Sequence, residues 1–184
     1  MNYRMKNLIG IFIVLLAFTA CENDNSTPAH LKVRLTDAPI DFDAVLVDIT
    51  GVNIIYSLTD TMMTDTLVSE WIELNTITGI YNLLELQDGV DTMLVADDIP
   101  NGVLKEIRLV LSEDNYVVVE GDTMPLTIPS GQSSGLKVKV NQIIESGADV
   151  DMLLDFDADA SVHVTGNGKY MMRPVVRVEY IDIE

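Results

Sequence analysis

Apolar residues in this chain recur at every second position, and that period excludes most folds. Side chains two apart share one face of a strand, whereas a helix needs a spacing of three or four. Lys32-Val33-Arg34-Leu35 opens such a pattern, and Leu136–Val140 and Val150–Ala158 repeat it cleanly. Ala44–Thr50 and Val52–Tyr56 read as one long strand or two, interrupted at Gly51 by a bulge. Further strands are expected at Leu67–Leu74, Tyr81–Leu86, Val103–Leu111, Tyr116–Val119, Leu126–Ile128 and Tyr170–Ile183, the last interrupted by Pro174. Trp71, the sole tryptophan, reads as a core anchor. Turn signals punctuate the strands at Gln87-Asp88-Gly89, Ile99-Pro100-Asn101-Gly102 and Glu120-Gly121-Asp122. No segment sustains a helical period for three turns; Thr76–Leu86 and Asp91–Asp98 each have room for one short helix. The pattern predicts an all-β fold: a single antiparallel β-sandwich, transthyretin-like or immunoglobulin-like in its Greek-key connections, with at most one or two short helices.

The N-terminal segment is of a different kind. Basic Arg4 and Lys6 precede an apolar run of eleven residues, Leu8–Phe18, then small Thr19 and Ala20, then Cys21, the only cysteine. As a helix the run covers about half of a bilayer's hydrocarbon thickness, which suits an export signal better than a membrane span. Positive, apolar, small, cysteine is the order of a bacterial lipoprotein signal, although Phe18 stands where an aliphatic residue is usual. A plain secretory signal or an uncleaved anchor are the alternatives. The expected organisation is a signal peptide over residues 1–20, lipidated Cys21 with a polar tether over 21–30, and one sandwich domain over 31–184. A multi-chain lipid on Cys21 anchors nearly irreversibly, and the tether reaches at most about 30 Å. The expected location is the cell envelope, lipid-anchored to the outer membrane and facing either the surface or the periplasm.

Removal of residues 1–20 leaves 9 basic residues against 29 acidic ones. Such a field excludes a nucleic-acid partner and repels anionic headgroups. A lone cysteine also excludes an intramolecular disulfide or a thiolate zinc site.

Four patterns in the sequence could carry chemistry. Asp155, Asp157 and Asp159 sit at alternate positions, so a continuous strand would bring three carboxylates to one face, as in the opening of a calcium loop. The glycine and the distal glutamate of an EF-hand are missing, and pairing with Lys137, Lys139 or Arg177 is the plainer expectation. Asp37, before Ala38-Pro39, reads as a turn residue or as a ligand shared with Asp155. Gly131-Gln132-Ser133-Ser134-Gly135 matches the nucleophile-elbow pattern, but a strand pattern follows it where the elbow needs a helix. The chain is therefore expected not to be an enzyme. Asp-Thr-apolar triplets mark Thr61, Thr66, Thr92 and Thr123 as O-glycosylation candidates, although turn chemistry explains each singly.

Taken together, several pieces resemble a known family: Leu35-Thr36-Asp37-Ala38-Pro39, Leu83-Leu84-Glu85-Leu86 with Asp88-Gly89, Ile99-Pro100 with Gly102, Ile107-Arg108-Leu109, Ile128–Gly131, Leu154–Ala158 with Ser161-Val162, and Pro174–Val178. In this order the chain resembles domain of unknown function 4382, found among Bacteroidetes lipoproteins. The resemblance covers nearly all of Leu31–Ile181 and implies an exported β-rich domain with no known activity. Acidic Glu22 and Asp24 behind Cys21 likewise resemble the surface-export signal of such lipoproteins. The function expected is a non-catalytic binding or structural module of the envelope, partnered by the membrane through its lipid and by an envelope protein or glycan. A carbohydrate-binding accessory subunit and a pilin-like or adhesin-like subunit are the alternatives.

Overall fold

A computed structural model describes residues 27–38, 41–57, 69–129 and 135–184. Cys21, the signal segment, Thr61, Thr66 and Gly131–Ser134 lie outside the described residues.

The expected all-β sandwich is the fold. One sheet has four strands: β1 (Ala29–Asp37), β5 (Thr92–Ile99), β10 (Asp149–Phe156) and β13 (Val176–Ile183), in the order β13-β10-β1-β5. The second sheet is built around β2 (Ala44–Ser57). Beside it lie β3 (Ser69–Leu74), β4 (Gly79–Asn82), β6 (Gly102–Leu111), β7 (Tyr116–Val119), β8 (Asp122–Thr127) and β9 (Leu136–Ile144). β11 (Val162–Val164) and β12 (Tyr170–Met172) extend it past β8, giving the path β11-β12-β8-β7-β2-β6-β9 with β3 and β4 also on β2. The β1–β10 and β12–β8 ladders are parallel, so the sheets are mixed rather than antiparallel throughout.

Alternation sorts the side chains as the sequence requires. Leu31, Val33 and Leu35 of β1, with Val150, Met152 and Leu154 of β10, turn inward and are fully buried or nearly so. They face the inward set of the second sheet, which includes Val45, Val47, Ile49, Val52, Ile54, Leu104, Ile107 and Leu109. On β2 the inward positions change from odd to even across Gly51, where the register against β6 shifts. That is the expected bulge, and it keeps one 14-residue strand apolar-in along its whole length. A second shift opposite Ile55 makes Lys105 and Glu106 share the outer face of β6. Glu120 and Gly121 both have positive φ (52° and 82°), the geometry of a two-residue hairpin turn between β7 and β8. Pro174 marks the point where the chain leaves the second sheet after β12 and joins the first as β13.

Two local expectations need correction. Asp91–Asp98 is mostly β5, not a helix, because antiparallel pairing with β1 outweighs weak local preference. In Thr76–Leu86 the only helical turn is a 3-10 turn at Leu83–Leu86, capped by the Asn82 side chain. The one α-helical turn among the described residues, α1 (Ala158–Ser161), follows β10, which ends two residues earlier than the sequence pattern suggests. Among the described residues no helix is long and apolar enough to cross a membrane.

Candidate functional site: a carboxylate–arginine knot and a tryptophan face

The parallel register of β1 against β10 sets Thr36 beside Asp155 and Asp37 beside Phe156 at one end of the four-stranded sheet. Antiparallel pairing sets Arg177 of β13 on the other side of Asp155. Arg177 holds the Asp155 carboxylate, reaches Asp157 at 3.3 Å, and lies 3.8 Å from Glu179. Asp155 is almost wholly buried, and burial pushes its carboxyl above the usual range despite the guanidinium. Asp37, also buried, accepts from the Ala158 backbone N–H at 2.9 Å and from the Gln87 amide at 3.2 Å. Burial is the largest cause raising the Asp37 carboxyl to about 6; hydrogen bonds from Ala158, Gln87 and the Ala38 backbone oppose the rise and the nearby Asp155 charge adds to it.

The expected calcium carboxylates are therefore used separately. Asp155 pairs with Arg177, as the plainer expectation had it, and Asp157 caps α1 by accepting from the Ala160 N–H at 2.8 Å. Asp159 is exposed on that turn. Among the described residues no group of three or more His, Cys, Asp or Glu side chains is placed to hold a metal ion. The strand period stops at Phe156, and that break is what separates the three. The Ser161 hydroxyl completes the knot: it donates to the Asp157 carbonyl and accepts from the Val175 N–H at 2.8 Å. Thr36 closes the other flank by donating to the Leu86 and Val90 carbonyls at 2.8 and 2.9 Å. The pieces from Leu35–Ala38, Leu83–Gly89, Leu154–Ser161 and Pro174–Val178 thus converge on one tie between strand ends.

Of the glycosylation candidates within the described residues, Thr123 is exposed on β8 and Thr92 is half-buried at the start of β5. Gly135, the last residue of the nucleophile-elbow pattern, leads directly into strand β9.

Trp71 is the largest departure from expectation. It is 44% exposed, not a core anchor. On β3 it points outward with Ser69 and Glu73, while Ile72 and Leu74 turn inward. Polar neighbours two residues away on both sides are the sequence signal that identified its face. Register then lays out two rows across the outer surface: Trp71, Ile55, Glu106 and Lys139, then Glu73, Asn53, Arg108 and Lys137. The Arg108 guanidinium sits over the Trp71 ring, 4.3 Å from its centroid, and is bonded to Glu106. Lys105 crosses to donate to the Ser69 hydroxyl at 3.0 Å. Beside these rows runs a groove of about 310 Å³ lined by Thr50, Asn53, Glu73, Asn75, Thr76 and Thr78, among others.

Fold and surface together define an all-β sandwich domain with a buried carboxylate tie and one aromatic, basic outer face. Residues 28–174 match the family described as domain of unknown function (DUF4382), and the chain belongs to that family. No curated protein and no solved structure matches it.

Proposed function

We propose that the chain is an exported, lipid-anchored, non-catalytic binding module of the cell envelope. The observation that carries the anchoring is the short distance between Cys21 and fixed structure. The Thr27 carbonyl already accepts from Gly147 N–H and Ser146 Oγ at 2.9 and 3.0 Å, beside the β9–β10 turn. Only five residues separate that fixed point from the cysteine, a reach of about 20 Å at most. Lipid on Cys21 holds that pole of the sandwich against the outer membrane and leaves the sheet faces open to partners on the surface or periplasmic side. In cell fractionation, the wild-type chain is expected in the membrane fraction and Cys21→Ala in the soluble or unprocessed fraction. Retention of a processed Cys21→Ala chain in the membrane sinks the anchor.

The exposure of Trp71 favours a carbohydrate-binding reading over a pilin-like one. A pilin-like subunit would offer a detachable terminal strand; β1 is paired on both sides, to β10 and to β5, which argues against its release, whereas β13 lies at the sheet edge with β10 as its one ladder partner among the described residues.

A further inference from the structure

We propose that the outer face of β3, β2, β6 and β9 binds an acidic glycan, a chain of sugar rings bearing carboxylates. Trp71 is its stacking platform. The proposal rests on the reading of this domain as a binding module and is independent of the lipid anchor.

Three observations meet on this face. The first is the indole itself. A sole tryptophan left 44% exposed on a strand whose alternate side chains face the core is available to a ring laid on it. Sugar rings present flat C–H surfaces that pack on such an aromatic face. Arg108, stacked on the indole, fixes its orientation before any ligand arrives.

The second is the adjoining groove. Asn53 and Glu73 lie one step along their strands from the Ile55–Trp71 pair and also line the groove of about 310 Å³. Thr50, Asn75, Thr76 and Thr78 bring further hydroxyl and amide groups to it. Thr50 and Thr76 already donate to the Val110 and Leu74 carbonyls, whereas the Asn53, Asn75 and Thr78 side chains both donate and accept, which suits them to the hydroxyls of a sugar.

The third is charge. Of the nine basic residues beyond the signal segment, Lys105, Arg108, Lys137 and Lys139 gather here, on β6 and β9. Glu73 and Glu106 are the acidic residues in the two rows. A polyanion repelled by the net charge of the molecule meets four basic side chains gathered on this face. Anionic lipid headgroups share the charge but make no use of a groove of hydroxyls and amides, so the geometry favours the glycan.

Trp71 is the only tryptophan, so intrinsic fluorescence reports this face alone. The full chain, mixed with phosphatidylcholine vesicles, is titrated with oligogalacturonate and with hyaluronan fragments. A saturable change is expected with at least one of them, weakening as salt rises, and at least tenfold tighter than with a neutral malto-oligosaccharide of the same length. By calorimetry Trp71→Ala should bind at least tenfold more weakly. Lys137→Gln/Lys139→Gln should bind several-fold more weakly with a shallower salt dependence, while its thermal unfolding is unchanged. No response to either acidic glycan overturns the proposal, as does equal binding of the neutral one or unaltered binding by the lysine variant. A blue shift on moving to phosphatidylglycerol vesicles, with no response to glycan, overturns it in favour of a lipid-facing surface. Failure of the Cys21 fractionation test leaves this titration untouched, so the two readings fall separately.

Discussion

The outer surfaces of the two sheets are made by the same alternation and end up with opposite chemistry. On the four-stranded sheet the charges are spent on one another. Arg34 is held by Asp151 in a bidentate pair at 3.1 and 3.0 Å, by Asp91 at 2.6 Å, and by the Tyr180 hydroxyl. Arg177 gathers Asp155, Asp157 and Glu179, and His30 meets Asp98. On the other surface Lys137 and Lys139 are exposed, and Trp71 stands beside a polar groove. A formal net charge of −18 therefore describes neither surface. The first is a lattice of two arginines each shared among several carboxylates, which braces strand ends; the second turns Lys137, Lys139 and Trp71 toward solvent, with Arg108 paired to Glu106 beside the indole. The contrast teaches that charge should be located before it is summed.

If the first surface braces the fold and the second does not, substitutions should separate them. The largest effect is expected at Asp37. Its carboxyl stands at about 6 in the folded protein against 3.8 when free, so its stabilising contribution is complete below pH 4 and is lost as pH rises through 6. Asp37→Asn removes that loss. Relative to the parent it should gain about 2 to 3 kcal/mol between pH 4 and pH 7, read from urea unfolding at several pH values. Parallel pH profiles for the two proteins would show that Asp37 is not the buried titrating group.

Next comes Arg177→Met, which strands the buried Asp155 carboxylate. About 2 kcal/mol of stability should be lost at pH 7, below the 3–5 kcal/mol of a fully buried pair because half of the arginine side chain faces water. The loss should shrink as pH falls, because burial raises the Asp155 carboxyl and a protonated Asp155 no longer needs the guanidinium. A variant as stable as the parent at pH 7 would mean that the knot does not brace the strand ends.

Trp71→Ala sharpens the comparison from the other side. It removes one stacked guanidinium contact and little burial, so the expected cost is about 1 kcal/mol or less. A cost near 3 kcal/mol would place Trp71 among the core anchors after all. Smallest is Lys139→Ala, expected within about 0.5 kcal/mol of the parent in thermal unfolding.

Much of the sandwich was legible because alternation is local. Val33 and Leu35, or Val138 and Val140, announce an inward face from the sequence alone, and Gly51 announces the change of phase between Ile49 and Val52. What local pattern does not carry is the partner. Nothing near Leu31 or Val33 indicates parallel pairing with Val150 and Met152, and so the convergence of Asp37, Asp155 and Arg177 was out of reach. Asp159 was misplaced for a related reason: its spacing from Asp157 fits a strand, but Asp157 accepts the Ala160 N–H and starts a helical turn instead. With Trp71 the information was present in Ser69 and Glu73, and was outweighed by the general tendency of tryptophan toward burial.

The central position of β1 has a consequence in time. It is the first strand of the domain, yet β5 starts only at Thr92 and β10 only at Asp149. Arg34 finds Asp151 after 117 intervening steps of chain. A nascent polypeptide with this wiring can pair β1 with β5 early but cannot complete its four-stranded sheet until β13 has emerged, so the last step of folding waits on nearly the whole chain and proceeds slowly through distant pairings.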